Sequence, residues 1–174
     1  GCWVEILKKT VLVTGGGGFL GRHLCQALAN EYKVIALVRN VAACFGGESV
    51  DYDRCQGDIT DASRIEELLV QNEIKFVFHL AARSIVRDCD LDPLGAFQTN
   101  GIGTASVLEA VRRIGGVEGV FVLESDKSYG SVPDKFLPYC EDGPVNPERI
   151  YEVSKFITGA IARSYSITFD IPLV

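Results

Sequence analysis

The sequence contains no long hydrophobic run and no cluster of basic residues, and each absence excludes a class of protein. No apolar stretch reaches the roughly 18 residues that a membrane-spanning helix requires. The net charge is -6, which argues against a broad face that neutralises nucleic-acid phosphates. The first residues, Gly1, Cys2 and Trp3, show no basic region, apolar core or cleavage site of an export signal. We therefore expect a soluble, cytoplasmic protein with no membrane and no nucleic-acid partner.

Closely spaced cysteines are also absent. The six cysteines lie far apart, at Cys2, Cys25, Cys44, Cys55, Cys89 and Cys140. Zinc sites and redox couples usually place two cysteines within a few residues, as in Cys-x-x-Cys. We therefore predict reduced thiols and no metal site.

A glycine-rich turn within residues 10–22 organises the rest of the chain. The apolar run at 11–13 suits a strand that is covered on both faces, and apolar residues then recur at helical spacing from 19 to 28. Between them stands Gly-x-x-Gly-x-x-Gly, formed by Gly15, Gly18 and Gly21. Glycine lets the backbone approach an anion, which free N–H groups and the helix dipole then stabilise. The strand before the turn and the helix after it favour a dinucleotide phosphate site over an ordinary flexible loop.

Buried strands and amphipathic helices alternate along the chain. The predicted strands after the first lie at 33–38, 52–56, 76–80 and 119–123, and residues 169–174 resemble the start of a sixth. The predicted helices cover 19–30, 62–71, 93–113 and a stretch that begins near residue 150, with loops at 41–50 and 131–149. This alternation predicts a doubly wound parallel α/β sheet with its site at the carboxyl ends of the strands. We interpret residues 1–174 as one domain, long enough to bury a core.

Two residues at strand ends bear on the choice of dinucleotide. Arg39 follows the second strand, where an acid would bind a ribose 2′-hydroxyl and an arginine would pair with a 2′-phosphate. Arg39 therefore favours NADP over NAD, although an arginine stacked on adenine would leave the choice open. Asp58 follows the third strand, where its carboxylate can accept from the adenine amino group. The alternative for Asp58 is an acid solvated in a loop.

Two polar residues fall inside elements that are predicted to be buried. His79 lies in the apolar run of the fourth strand, and we interpret it as a hydrogen-bonded core histidine rather than a catalytic one. Asn100 lies inside a predicted helix, although asparagine is a poor helix former and an unusual core residue. We therefore expect Asn100 to serve a polar network.

The densest chemistry follows the fifth strand and continues into the last helix. Residues 124–130 read Glu-Ser-Asp-Lys-Ser-Tyr-Gly. Tyr151 and Lys155 are four residues apart, so their side chains share one helix face. An ammonium beside a phenol favours the phenolate, which is the base that catalysis near pH 7 needs. The alternative is a surface helix pair without a catalytic role.

These motifs, in this order and at this spacing, resemble the extended short-chain dehydrogenase/reductase family. They are Thr14-Gly-Gly-Gly-Gly18-Phe-Leu-Gly21, Gly57-Asp58-Ile59, His79-Leu-Ala-Ala82, Asn100-Gly-Ile-Gly-Thr104, Ser125-Asp-Lys-Ser-Tyr-Gly130 and Tyr151-Glu-Val-Ser-Lys155. Within that family the chain is similar to the nucleotide-sugar epimerases and dehydratases, and the resemblance covers nearly all of it. The resemblance implies a Rossmann fold that binds NADP or NAD, and a nucleotide-activated hexose as substrate. It also implies a homodimer through the helices near 93–113 and 150–165.

The family's residue roles carry over where the motifs match. Tyr151 resembles the base that takes a proton from the sugar 4-hydroxyl, and Ser125 resembles the hydroxyl that orients the substrate. Lys155 resembles the residue that holds the nicotinamide ribose and activates the tyrosine. Hydride then leaves C4 for the oxidised nicotinamide, and a 4-keto sugar results. The expected cofactor-binding residues are Thr14, Gly15, Gly18, Phe19, Leu20, Gly21, Arg39, Asp58, Ile59, Leu80, Ala81, Ala82, Asn100, Tyr151 and Lys155.

Asp126 and Lys127 bear on the step that follows the 4-keto sugar. They resemble the acid and base of the sugar 4,6-dehydratases, with a lysine as in the CDP-glucose 4,6-dehydratase type. By that resemblance Asp126 protonates the departing C6 hydroxyl and Lys127 assists loss of the C5 proton. Hydride then returns to C6, so the cofactor is recycled and no net oxidation occurs. The alternative is a 4-epimerase, in which hydride returns to the other face of C4 and the two residues are a salt-bridged loop pair. We favour the dehydratase.

The chain departs from the family pattern in two respects. Ile150 stands where the family usually has a proline before the tyrosine. Family members also continue into a C-terminal substrate domain, which we expect this chain to lack. A non-catalytic dinucleotide-binding module is therefore the alternative from another class, and a nicotinamide-dependent reductase with net hydride transfer is a third hypothesis.

Overall fold

Five parallel strands form one sheet within the part of the chain that the structure describes. The structure, a computed structural model, describes residues 8–41 and 51–174. The strands are β1 (Thr10–Thr14), β2 (Lys33–Val38), β3 (Asp53–Gln56), β4 (Ile74–His79) and β5 (Gly119–Val122). Their order across the sheet is β3-β2-β1-β4-β5, which confirms the doubly wound parallel α/β arrangement. Residues 42–50 of the predicted loop, together with Cys2 and Cys44, lie outside the described residues.

In the described ranges, six α-helices connect and cover these strands. They are α1 (Phe19–Ala29), α2 (Ala62–Gln71), α3 (Val86–Leu91), α4 (Pro93–Phe97), α5 (Thr104–Ile114) and α6 (Ile150–Phe169). The sequence analysis did not predict α3. The predicted helix at 93–113 is present, but its middle, Gln98–Gly103, is a π-helical segment between α4 and α5. The Asp61 side chain caps α2 by accepting from the main-chain N–H of Arg64 at 3.1 Å.

Alternate residues of β1 explain how the helices divide between the two faces of the sheet. Leu12 belongs to a buried cluster that includes apolar residues of α2, α5 and α6. Val11 and Val13 point to the opposite face, where they pack with α1 through Cys25. All five residues of β1 are buried, as a central parallel strand requires.

The last residues begin a sixth strand beside β5, as predicted. Leu173 pairs in parallel with Val120, and the main-chain N–H of Val120 donates to the carbonyl of Pro172 at 2.8 Å. No helix within the described ranges is both long enough and apolar enough to cross a membrane. The described cysteines, Cys25, Cys55, Cys89 and Cys140, are free thiols.

Candidate active site

A cleft of about 740 Å³ lies at the carboxyl edge of the sheet. It is lined by the glycine turn, by residues that follow β2, β3 and β4, and by Leu123 after β5. The lining residues include Gly15, Gly18, Phe19, Leu20, Gly21, Arg39, Asp58, Ile59, Leu80, Ala81 and Ala82. The structure therefore brings together eleven of the expected cofactor-binding residues, although the sequence spreads them from position 15 to position 82.

The glycine turn is tight because two of its positions have no room for a side chain. Gly15 has φ +72°, and a Cβ there would lie 2.8 Å from the main-chain nitrogen of Ala81. A Cβ on Gly21 would overlap the main-chain oxygen of Gly15, so α1 packs directly against the turn. Gly18 precedes α1 in extended conformation and no side chain caps the helix. The first N–H groups of α1 are thus left for an anion in the cleft, which fits the pyrophosphate of a dinucleotide.

Asp58 and Arg39 provide opposite charges at the β2–β3 end of the cleft. The Asp58 carboxylate accepts from the main-chain N–H and the hydroxyl of Thr60, both at 2.8 Å. These hydrogen bonds, helped by the charge of Arg39, hold the pKa of Asp58 below its usual range. Arg39 itself is exposed at the rim. The cleft therefore presents an ionised acceptor and a cation where an adenosine end would lie.

The cleft also contains polar side chains that the sequence analysis missed. Ser84 follows β4 and Thr99 lies in the π-helical segment, and both line the cleft. Each is close in sequence to a residue that was singled out, Ala82 and Asn100. Their position beside those residues was the available signal, but serine and threonine are too common in loops for that signal to be specific.

Thr14 is fully buried and its hydroxyl faces His79 rather than the cleft. The hydroxyl accepts from the main-chain N–H of Ala81 at 3.2 Å and bonds Nδ1 of His79 at 2.8 Å. His79 Nε2 lies 3.0 Å from the hydroxyl of Thr104, which itself donates to the carbonyl of Asn100 at 2.7 Å. These partners require the Nε2–H tautomer, with Thr14 donating to Nδ1. Burial, followed by the charge of Lys155, lowers the pKa of His79 to about 3.

Asn100 is 1% exposed and all of its side-chain hydrogen bonds are internal. Its Oδ1 accepts from the main-chain N–H of Arg83 at 2.8 Å. Its Nδ2 donates to the carbonyl of Arg83 at 3.1 Å and to the hydroxyl of Ser154 at 2.9 Å. The prediction that Asn100 serves a polar network is confirmed, and that network joins the end of β4 to α6.

Tyr151 and Lys155 are both buried on the inner face of α6. Tyr151 is 8% exposed and packs with Cys89 of α3 and Ala96 of α4. Lys155 is 3% exposed, and its Nζ donates to the carbonyl of Leu123 at 2.6 Å. Burial holds the pKa of Lys155 below its usual range, against the charge of Glu124. The alternative of a surface helix pair is wrong, because packing by α3, α4 and the end of β5 encloses both side chains.

Ser125, Asp126 and Lys127 lie on a short 3-10 helix that packs against α6. Ser125 caps this helix by accepting from the main-chain N–H of Lys127 at 3.2 Å, and its hydroxyl also donates to Asp126 Oδ1 at 3.2 Å. Asp126 and Lys127 are exposed. Hydrogen bonds from the main-chain N–H groups of Glu148 and Arg149 lower the pKa of Glu152, and the charge of Lys127 adds to this effect from near the first turn of α6. An acid, a cation and a hydroxyl therefore stand beside the helix that carries Tyr151.

Within the described ranges, no group of histidine, cysteine and acidic side chains is arranged to hold a metal ion. The site is thus a dinucleotide-sized cleft. Leu123 lines this cleft and accepts a hydrogen bond from Lys155, which lies on α6 with Tyr151.

Comparison with known proteins gives a consistent result. The model of the NAD dependent epimerase/dehydratase family matches residues 11–174. A dTDP-glucose 4,6-dehydratase of Mycobacterium tuberculosis is 34% identical over 169 residues, which cover 90% of this chain and 50% of the relative. The chain spans about half the length of the curated relatives it matches.

Two solved structures represent the two activities that the sequence left open. The UDP-glucose 4-epimerase of Thermotoga maritima, solved with UDP-glucose, superposes with a TM-score of 0.85 at 25% identity. That match covers 94% of this chain and 53% of the other. The dTDP-glucose 4,6-dehydratase DesIV of Streptomyces venezuelae, solved with NAD, gives a TM-score of 0.82 at 29% identity, and covers 94% of this chain and 53% of the other.

Proposed function

This chain belongs to the NAD-dependent epimerase/dehydratase family, and from that premise we propose that it is the cofactor-binding part of a nucleotide-sugar 4,6-dehydratase. Residues 1–174 would form one NAD(P)-binding unit. The observation that carries the proposal is the buried Tyr151–Lys155 pair on α6, the helix against which the exposed Asp126 and Lys127 lie. Lys155 also donates to Leu123, which lines the dinucleotide-sized cleft.

An NAD-type cofactor fits the residues of the cleft. The glycine turn and the first N–H groups of α1 would hold the pyrophosphate, and Asp58 would accept from the adenine. Leu80, Ala81 and Ala82 provide a small apolar wall at the end of β4. When bound, the nicotinamide supplies reversible acceptance of hydride from the sugar C4. Similar proteins have been solved with NAD, which supports this choice.

Tyr151 would take the proton of the sugar 4-hydroxyl, with Lys155 beside it. An ammonium on the same helix face stabilises the negative charge that develops on a phenol, and burial strengthens that interaction because water screens it less. Ser125, on the adjoining 3-10 helix, would orient the sugar through its hydroxyl.

Asp126 and Lys127 favour dehydration over epimerisation. Loss of the C6 hydroxyl needs a proton donor and loss of the C5 proton needs a base, whereas epimerisation at C4 needs neither. Both residues are exposed in the structure, so a bound sugar would have to exclude water before Lys127 could become an effective base. The 4-epimerase remains the second candidate, supported by the similarity to the Thermotoga maritima enzyme.

The test incubates the chain with NAD and with dTDP-, UDP- or CDP-glucose, and identifies the products by NMR. A 4-keto-6-deoxy sugar that disappears in Asp126→Asn would support the dehydratase. Asp134→Asn, which removes an exposed acid from the following loop, is the matched control. A C4 epimer formed equally well by Asp126→Asn would support the epimerase instead. Steady consumption of NADPH would indicate a reductase, and binding of NAD without any turnover would indicate a non-catalytic module.

The preference for NADP depends on Arg39. An exposed guanidinium at the cleft rim can pair with a 2′-phosphate, and such a charged hydrogen bond is worth about tenfold in affinity. Calorimetric titration should therefore show that Arg39→Gln weakens NADP binding about tenfold and leaves NAD binding unchanged. Arg163→Gln, an exposed arginine of α6, is the control. Equal affinity of the native chain for both dinucleotides would refute the preference.

We also propose a homodimer through α4–α5 and α6. These helices expose the apolar side chains of Leu94, Ile102 and Phe156, which a second copy would cover. Light scattering should show a dimer that becomes a monomer in the Leu94→Glu, Ile102→Glu double variant. A native chain that is monomeric at the same concentration would refute it.

A further inference from the structure

Glu124 is an acidic residue near the site, and the proposed mechanism gives it no role. It is the second residue after β5, and Leu123 before it continues the sheet by donating from its main-chain N–H to the carbonyl of His79 at 3.1 Å. The same Leu123 offers its own carbonyl to Lys155 at 2.6 Å. The main chain that carries Glu124 is therefore fixed on both sides, to β4 and to the buried ammonium.

The carboxylate of Glu124 lies directly against Gly159 of α6. A Cβ built on Gly159 would overlap the Oε1 and Cδ atoms of Glu124, and Oε2 would be 3.0 Å away. Gly159 is one helical turn beyond Lys155, so the two positions share a face of α6. A glycine in a helix interior costs about 1 kcal/mol relative to alanine. At position 159 the missing side chain leaves the space that the Glu124 carboxylate occupies.

The charges of Glu124 and Lys155 act on each other in this arrangement. Burial holds the pKa of Lys155 below its usual range, and the Glu124 charge opposes that effect. Glu124 keeps an exposed side, and the partial loss of water around its carboxyl raises its pKa, against the charge of Lys155. The described residues place no direct ion pair between the two, so the two charges act on each other without contact.

We propose that Glu124 is a positioning residue of the site. Its carboxylate packs on α6 at Gly159, which has no side chain, and keeps the buried ammonium of Lys155 charged. The proposal rests on the proposed function, because a charged Lys155 is what makes Tyr151 an effective base. It assigns the electrostatic partner of Lys155 to the end of β5 and not to α6 itself.

Few other titratable groups surround Lys155. From β4 comes His79, which is neutral because burial and the charge of Lys155 lower its pKa to about 3. Tyr151 lies on α6 itself, and the 3-10 helix contributes Asp126 and Lys127 near the first turn of α6. Of these groups, Glu124 is the one whose charge favours the ammonium form of Lys155.

The experiment titrates Lys155 directly by NMR, through the 13Cε resonance of the intact chain labelled at lysine and assigned with Lys155→Arg. In Glu124→Gln the midpoint of this titration should fall by about one pH unit, which is a tenfold change in the ionisation constant. Gly159→Ala should also lower it, because the new methyl group displaces the carboxylate. The double variant should shift no further than Glu124→Gln alone, since both changes remove one interaction.

The matched control is Glu31→Gln, which removes an exposed carboxylate at the opposite edge of the sheet, between α1 and β2. It should leave the Lys155 midpoint unchanged. An unchanged midpoint in Glu124→Gln would overturn the proposal, as would an equal shift in Glu31→Gln. So would a loss of thermal stability in Glu124→Gln without any change of the midpoint, since that would show a packing role alone.

This titration needs neither cofactor nor substrate, so its result is independent of turnover. A chain that shows the shift but does not bind NAD would refute the proposed function and leave the electrostatic pairing intact. A chain that turns over sugar nucleotides while Glu124→Gln leaves the midpoint unchanged would refute the pairing alone.

Discussion

The side-chain amide of Asn100 donates to the hydroxyl of Ser154 at 2.9 Å, and this bond joins the π-helical segment to α6. The Ser154 hydroxyl in turn donates to the carbonyl of Tyr151 at 2.8 Å. Thr158, one turn further along α6, donates to the carbonyl of Asn100 at 2.8 Å. The position of Tyr151 therefore depends on a polar residue more than 50 positions earlier in the chain.

Replacing Asn100 with aspartate should destabilise the fold strongly. The carbonyl of Arg83 now accepts from Nδ2 at 3.1 Å. In the variant a carboxylate oxygen would face this carbonyl, so the carbonyl would lose its donor and a negative charge would be buried against it. We expect the free energy of unfolding in urea to fall by about 3 kcal/mol. Asn30→Asp, at the exposed end of α1, is the control and should change it by less than about 1 kcal/mol. Equal losses in both variants would contradict the network.

His79 should make the protein less stable at acid pH. Its pKa is lowered to about 3 in the fold, whereas it titrates near 6.5 when unfolded, so the unfolded chain binds the extra proton between these values. As pH falls from about 6 to about 3, the free energy of unfolding of the native chain should therefore fall by up to about 1.4 kcal/mol per pH unit more than that of His79→Gln. Urea unfolding at several pH values measures this difference.

The control for this measurement is His23→Gln, which removes an exposed histidine of α1. It should keep the pH dependence of the native chain. A His79→Gln variant with the same slope as the native chain would show that His79 does not contribute.

Alanine at Gly21 should disrupt cofactor binding. The added methyl group would overlap the main-chain oxygen of Gly15 and force α1 away from the turn that lines the cleft. We expect affinity for NAD to fall at least tenfold by calorimetry, with circular dichroism confirming that the chain remains folded. Gly101→Ala is the matched control, since its methyl would meet Ile157 at an ordinary 3.4 Å. Retained affinity in Gly21→Ala would argue against an anion at this turn.

Phenylalanine at Tyr151 should remove the proposed base while leaving the cleft intact. Turnover of a sugar nucleotide should fall by at least about 100-fold. NAD affinity should stay within about twofold, since Tyr151 does not line the described cleft. Tyr32→Phe, which removes a hydroxyl from the opposite face of the sheet, should keep full activity. Unchanged turnover in Tyr151→Phe would refute the assignment of the base.

Features encoded within a few consecutive residues could be predicted from the sequence. The glycine turn depends on a strand, four glycines and a helix within about 20 positions, so its local pattern was sufficient to place it. The buried state of His79 followed from the apolar run around it. By contrast, α3 is only six residues long, which is too short to give a clear periodic signal in the sequence.

What the sequence by itself determined was the order of strands and helices, the glycine turn and the shared helix face of Tyr151 and Lys155, because each is a matter of local spacing. Only the tertiary structure decided that this face is buried, that Asn100 holds α6, and that the Glu124 carboxylate lies over Gly159. The physical reason is that burial and charge interactions depend on which elements pack together. The hydrogen-bonded partners of Asn100 on α6 are separated from it by up to 58 positions in the chain, as Thr158 is, so no local sequence pattern reports their contact.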